Sequence, residues 1–180
     1  VGQASSVFTI GHSTRSLDEF IEILKSFGIE TLVDVRSFPG SRRYPHFNRE
    51  ALKGSLGAVN IDYAHLPELG GRRRARPDSL NMTWRNESFR GYADHMETDD
   101  FAAGIRRLLG LARERRTVIM CSEAVWWRCH RSMISDYLKA KGVDVIHILA
   151  AGKSEAHPYT SAARIVNGEL SYRGVLETDH

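Results

Sequence analysis

Only two cysteines occur in 180 residues, Cys121 and Cys129. That is too few for a disulfide framework, so a reducing, cytoplasmic setting is expected and the sequons at Asn81 and Asn86 carry little weight. No apolar run approaches the roughly 20 residues that span a bilayer, so no membrane partner is expected. The first residues lack a basic region followed by an apolar block, and 1–6 read as a disordered lead-in. Gly-x-Gly-x-x-Gly and Walker-type loops are missing, which removes support for dinucleotide or nucleoside-triphosphate chemistry. Cys-x-x-Cys and His-Glu-x-x-His are missing too. His12, Cys121, Cys129 and His130 are the soft ligands on offer, and neither a metal nor another cofactor is expected. No internal repeat or low-complexity segment stands out.

What is present describes a folded chain. Apolar residues make up 42% and charged residues 26%, ordinary values for a globular protein, and residues 7–180 suit one domain with a proper core. Short apolar runs at 7–10, 31–35, 61–64, 117–120 and 143–149 predict buried strands. Between them, helical spacing predicts a helix opening at the capping box Ser16-Leu17-Asp18-Glu19 and stopping at Gly28. Further helices are expected over 49–56, 88–96 and 100–113, and on the segment carrying Met133, Ile134, Tyr137 and Leu138. Residues 37–48 and 66–86 read as long loops. Asn167-Gly168, between Ile165-Val166 and Leu170-Ser171-Tyr172, predicts a tight hairpin. The expected fold is three-layer α/β: a mostly parallel sheet with helices on both faces and a C-terminal β-hairpin.

In such sheets ligands bind beyond the carboxyl ends of the strands, and three strands end in polar residues. These are Gly11-His12-Ser13, Asp34-Val35-Arg36 and Cys121-Ser122-Glu123. Gly11 would let a ligand approach the backbone closely. Asp34 and Arg36 lie on one side of an extended strand, either pairing with each other or with Arg36 presented to substrate by Asp34. Cys121 follows a buried strand and precedes a helix. It is either a thiol activated by the helix N-terminus and by Arg128 or Arg131, or a small buried apolar residue. The spacing from Cys121 to Arg128 is one longer than in phosphatase loops. Trp126 and Trp127 also stand where such loops need glycines, which argues against a phosphatase. Of the two thiols, Cys121 is expected to be the more reactive.

Glu123 is a candidate acid or base, and His12 completes the candidate catalytic set. Ser13, Asp34, Arg36, Arg42, His130 and Arg131 are candidate binding groups, and Trp126 and Trp127 candidate stacking surfaces for a base. The formal charge is only +3, but Arg36, Arg42, Arg43, Arg72, Arg73, Arg74 and Arg76 gather in two loops, which suggests an anionic partner.

Thr9-Ile10-Gly11-His12-Ser13, Val33-Asp34-Val35-Arg36 with Pro39 and Ser41-Arg42, Leu69-Gly70-Gly71, and Met120-Cys121-Ser122-Glu123 through Cys129-His130-Arg131 together resemble the bacterial and archaeal "domain of unknown function 488" family. The resemblance covers about residues 8–148. It implies a compact α/β domain whose shared polar residues cluster at one site, and it supplies no reaction.

The expected function is an enzyme acting on an anionic substrate with a nucleotide or nucleic-acid component. Alternatives are a non-catalytic nucleic-acid or nucleotide binding module, and a protein-interaction domain whose polar cluster is structural. Turnover separates the first two, and salt-dependent binding separates the second from the third.

Overall fold

The structure, a computed structural model, describes residues 6–174. The lead-in at 1–5 lies outside these residues, and Ser6 already belongs to the first strand. The elements run β1 (Ser6–Gly11), α1 (Leu17–Ser26), β2 (Thr31–Asp34), α2 (Arg49–Gly57), β3 (Asp62–His65), α3 (Glu87–His95) and α4 (Asp99–Glu114). They continue with β4 (Thr117–Cys121), α5 (Arg131–Ala140), β5 (Asp144–Ala150), β6 (Lys153–Ala156), β7 (Arg164–Val166) and β8 (Glu169–Ser171). Six strands form one sheet in the order β3-β2-β4-β1-β5-β6, parallel except for β6.

The strands alternate between two cores. Phe8, Ile10, Leu32, Val118 and Met120 face one cluster with Phe20 and Leu24 of α1 and Leu52 and Leu56 of α2. Val7, Val33, Ile119 and Cys121 face the other, with Phe101 and Leu108 of α4 and Met133, Ile134 and Leu138 of α5. Each such Leu, Ile or Phe contributes about 1.5–3 kcal/mol on burial, so both helical layers are held by the sheet between them. Ser16 caps α1 by accepting from the Glu19 N–H at 3.1 Å, while the Glu19 carboxylate turns to Arg15 instead of closing the box.

β1 and β4 are neighbours in register, Gly11 opposite Cys121, yet α1 and α5 that follow them lie in different cores. The chain leaves these adjacent strand ends in opposite directions and opens a crevice between them, the usual ligand position in open parallel sheets. Gly11 itself serves the fold. A Cβ there would sit 1.8 Å from the Glu123 carbonyl oxygen, so the close neighbour is the chain's own loop, where the sequence suggested a ligand.

The hairpin β7–β8 turns through Asn167 and Gly168, both at positive φ, as the Asn-Gly pair requires. The long loop ahead of α3 is ordered by the buried Asp94, which accepts from Arg76 N–H, Ser79 Oγ and Asn81 Nδ2 at 2.6–2.8 Å. No helix among the described residues is long and apolar enough to cross a membrane.

Candidate functional site

A cavity of about 800 Å³ opens at the carboxyl ends of β1, β2 and β4. His12, Arg36, Cys121, Glu123, Cys129 and His130 all line it, together with Ser13. Arg43, Arg72 and Arg128 join Arg36 on its wall, so four arginines face one carboxylate, that of Glu123, among the described lining residues.

Two sulfurs form its floor. Cys121 Sγ and Cys129 Sγ are 2.7 Å apart, both thiols free and buried. β4 delivers Cys121 on the face it shares with α5, and Cys129 stands two residues ahead of that helix. α5 has no side-chain cap at His130; instead the Arg131 N–H donates to Cys129 Sγ at 3.3 Å. A negative sulfur is favoured there by that N–H and the helix dipole. Burial pushes the Cys121 thiol well up. Burial raises Cys129 as well, but the hydrogen bond from Cys121, the Arg131 guanidinium and the Arg131 N–H outweigh it and bring Cys129 down to about 7. These influences favour Cys129 over Cys121 as the site of a negative charge, with Cys121 placed to donate to it. The helix N-terminus thus meets the second cysteine, where the sequence suggested the first.

Arg131 is only 1% exposed and, among the described residues, has no carboxylate within salt-bridge distance. Its Nη2 donates to the Glu123 and Ala124 carbonyls at 2.7 and 3.3 Å, fixing the loop after β4, and its buried Nε has no partner among the described residues. Cys121 and Cys129 lie beside the guanidinium, and a thiolate on either would answer its charge. Behind it runs a buried chain of hydrogen bonds in which every donor is used once. Arg131 Nη1 donates to Thr9 Oγ1 (3.2 Å), Thr9 to His147 Nδ1 (2.6 Å), His147 Nε2 to His157 Nδ1 (2.8 Å), and His157 Nε2 to Asp136 (2.8 Å). Burial, His157 and Arg131 together lower His147 to about 2, so it stays neutral within the chain. None of Thr9, Asp136, His147 and His157 was named as a site residue from the sequence. A histidine inside the apolar run 143–149 was the available signal.

Asp34 and Arg36 pair with each other, and Arg36 also reaches the cleft. Asp34, fully buried, takes Arg36 Nε at 2.9 Å and Nη2 at 2.7 Å and also accepts from the Tyr63 hydroxyl. Arg36 Nη1 points to His12 Nε2 at 3.4 Å. His12 Nδ1–H donates to the Ser13 carbonyl at 2.9 Å, so Nε2 carries the lone pair that Arg36 meets. Burial lowers His12 from 6.5 to about 4. His130 Nε2–H likewise donates to the Val35 carbonyl at 2.7 Å, which leaves Nδ1 as an acceptor 3.7 Å from Cys129 Sγ.

The His12 shift predicts an acid sensitivity. Between about pH 6.5 and 4 the unfolded chain binds a proton at His12 that the folded one refuses, so stability falls as pH falls through that window and levels off below it with respect to this group. Melting temperatures recorded across pH 4–7 are expected to show this fall, and a His12→Gln variant to show a smaller one. An equal fall in the variant would place the acid sensitivity on other groups.

Residues 16–138 match the family model described as domain of unknown function DUF488, well over half of the chain. The chain belongs to the DUF488 family. No curated protein and no solved structure matches it. The matched segment carries the Asp34–Arg36 pair and the whole stretch from Cys121 to Arg131, whereas His12, His147 and His157 lie outside it.

Several expected binding residues of this DUF488 chain sit away from the cleft. Trp126 is buried, stacked on His147 at 4.4 Å and 6°, with its Nε1–H on Glu155. Trp127 is exposed and edge-on to Trp126, and neither ring lines the cavity. Arg42 does not line the cavity either, and its neighbour Arg43 takes the lining place. Asp34 and Arg131 act from behind, each fixing another group. In the second arginine loop, Arg73 and Arg76 are spent on the Gly70 carbonyl and on Glu97, while Arg72 faces the cleft.

Proposed function

We propose that this protein is an enzyme that binds a small anionic substrate in the strand-end cleft and attacks it with the thiolate of Cys129. The observation that carries this reading is a buried arginine, Arg131, with no carboxylate partner among the described residues, lying beside the two thiols at the floor of the cavity. A buried guanidinium is costly unless an anion answers it, and a thiolate supplies one while becoming the nucleophile. Arg36, Arg43, Arg72 and Arg128 give the substrate's charge a place to sit, and His12, held neutral, leaves Arg36 the dominant cation at the inner wall. A nucleotide or nucleic-acid component draws less support from the tryptophans than the sequence suggested, because Trp126 is committed to His147.

Alkylation tests the reading on the intact chain. Cys129 is expected to label before Cys121, with a rate that rises through about pH 7. Iodoacetate, which is anionic, should be favoured over neutral iodoacetamide relative to a free thiol, and Arg43→Ala with Arg128→Ala should weaken that preference. Mass spectrometry of peptides assigns the site. Faster labelling of Cys121, or no preference for iodoacetate, would overturn the proposal.

A further inference from the structure

We infer that Cys121 and Cys129 act together as a dithiol that reduces an anionic substrate bearing an electrophilic sulfur, a disulfide in the simplest case. This rests on the reading of Cys129 as the thiolate of an anion-binding cleft and adds the class of bond broken. Two observations lead there. The sulfurs are 2.7 Å apart, while a disulfide bond spans about 2.05 Å, so a covalent link needs a shift of well under 1 Å. The imidazoles of the cleft are also poorly placed to activate water. His12 is engaged through Nδ1 by the Ser13 carbonyl and through Nε2 by Arg36, and His130 is held by the Val35 carbonyl with Nδ1 turned to Cys129. An acyl or phosphoryl adduct on Cys129 would therefore find no free imidazole to activate water, whereas a sulfur adduct has its second nucleophile in contact.

The steps balance. The Cys129 thiolate attacks one sulfur of R–S–S–R′, forming Cys129–S–S–R and expelling R′S⁻ with the bonding electron pair. Cys121 then gives up its proton, and its sulfur attacks Cys129 Sγ, forming the Cys121–Cys129 bond and expelling RS⁻. The Cys121 proton ends on one product, the other leaves as a thiolate that takes a proton from water, the substrate gains two electrons, and the protein becomes a disulfide. An external dithiol returns it to the starting state by the same exchange in reverse. The high position of Cys121 suits a resolving thiol, which stays protonated until an adduct forms beside it.

The chain contains no cysteine besides these two, so 5,5′-dithiobis(2-nitrobenzoate), a disulfide carrying two carboxylates, reports both steps. The reduced full chain is treated with one equivalent; released thionitrobenzoate is followed by absorbance and the protein by intact mass. The wild type is expected to release two thionitrobenzoates, keep no adduct and lose only two hydrogens. Cys121→Ser, or Cys121→Ala if the serine variant is unstable, should release one and retain a stable adduct on Cys129. The neutral disulfide 2,2′-dithiodipyridine should lose its usual advantage over the anionic reagent when compared with a free thiol. A wild-type protein that retains adducts in place of an internal disulfide would overturn this inference and leave the Cys129 thiolate reading standing. Undiminished reaction in Cys129→Ser would overturn that reading itself.

Discussion

Replacing Arg131 by methionine is expected to lift Cys129 out of the neutral range and to slow its alkylation at pH 7 severalfold. Two of the influences that hold Cys129 near 7 against burial, the hydrogen bond from Cys121 and the Arg131 N–H, survive this change. The guanidinium does not. With a rise to about 9, the thiolate fraction at pH 7 falls from about one half to about one hundredth. A more basic thiolate is intrinsically more nucleophilic, and a Brønsted slope of about 0.4–0.5 returns roughly eightfold, leaving a net loss of about sixfold. The midpoint of the rate against pH should move above the free-thiol value of about 8.5. Arg131→Lys keeps the charge but offers no fork for the Glu123 and Ala124 carbonyls, so it should restore much of the midpoint while loosening the loop. A methionine variant with an unmoved midpoint would show that the thiolate is supported without Arg131.

The strands and the site were legible to different depths, for physical reasons. Parallel strands buried on both faces read as unbroken apolar runs, so β1, β2, β4 and β5 were visible. β6 was not. All four of its residues are exposed, Lys153 and Glu155 among them, because an edge strand carries charge and gives no periodic signal. The gathering of His12, Arg36, Cys121 and Glu123 followed from three strand ends and a general rule of parallel sheets. Which sulfur is the better placed to carry a charge did not. That depends on Arg131 being buried and on α5 beginning two residues after Cys129, neither of which follows from spacing. The chain from Thr9 through His147 and His157 to Asp136 joins positions scattered over 149 residues of sequence, and no motif connects them. Trp126 and Trp127 misled for a related reason: adjacent aromatics look like a ligand surface until a partner such as His147 is known to cover one of them.

Removing Arg36 is expected to destabilise the fold more than any other single change at the cleft. Asp34 is fully buried at the end of β2, and Arg36 is the cation that answers it, through two parallel hydrogen bonds of 2.9 and 2.7 Å. Breaking a buried pair by deleting one member costs about 3–5 kcal/mol, because the remaining charge stays desolvated. For a chain of this size each kcal/mol lowers the melting temperature by about 2–4 °C, so Arg36→Ala should melt roughly 6–20 °C lower. The Phe47 carbonyl would also lose its Nη2 donor at 2.8 Å, and with it one tie between the strand end and the loop before α2. The Tyr63 hydroxyl limits the damage. Burial and the Asp34 carboxylate push its titration up, so it remains a donor to Asp34 throughout. Asp34→Asn combined with Arg36→Met removes both charges, and by the same argument should be more stable than Arg36→Ala alone despite carrying one more substitution. Urea unfolding of the single and double variants measures the difference. A cost below about 1 kcal/mol for Arg36→Ala would mean that the Tyr63 hydroxyl and the Arg36 backbone N–H satisfy Asp34 unaided.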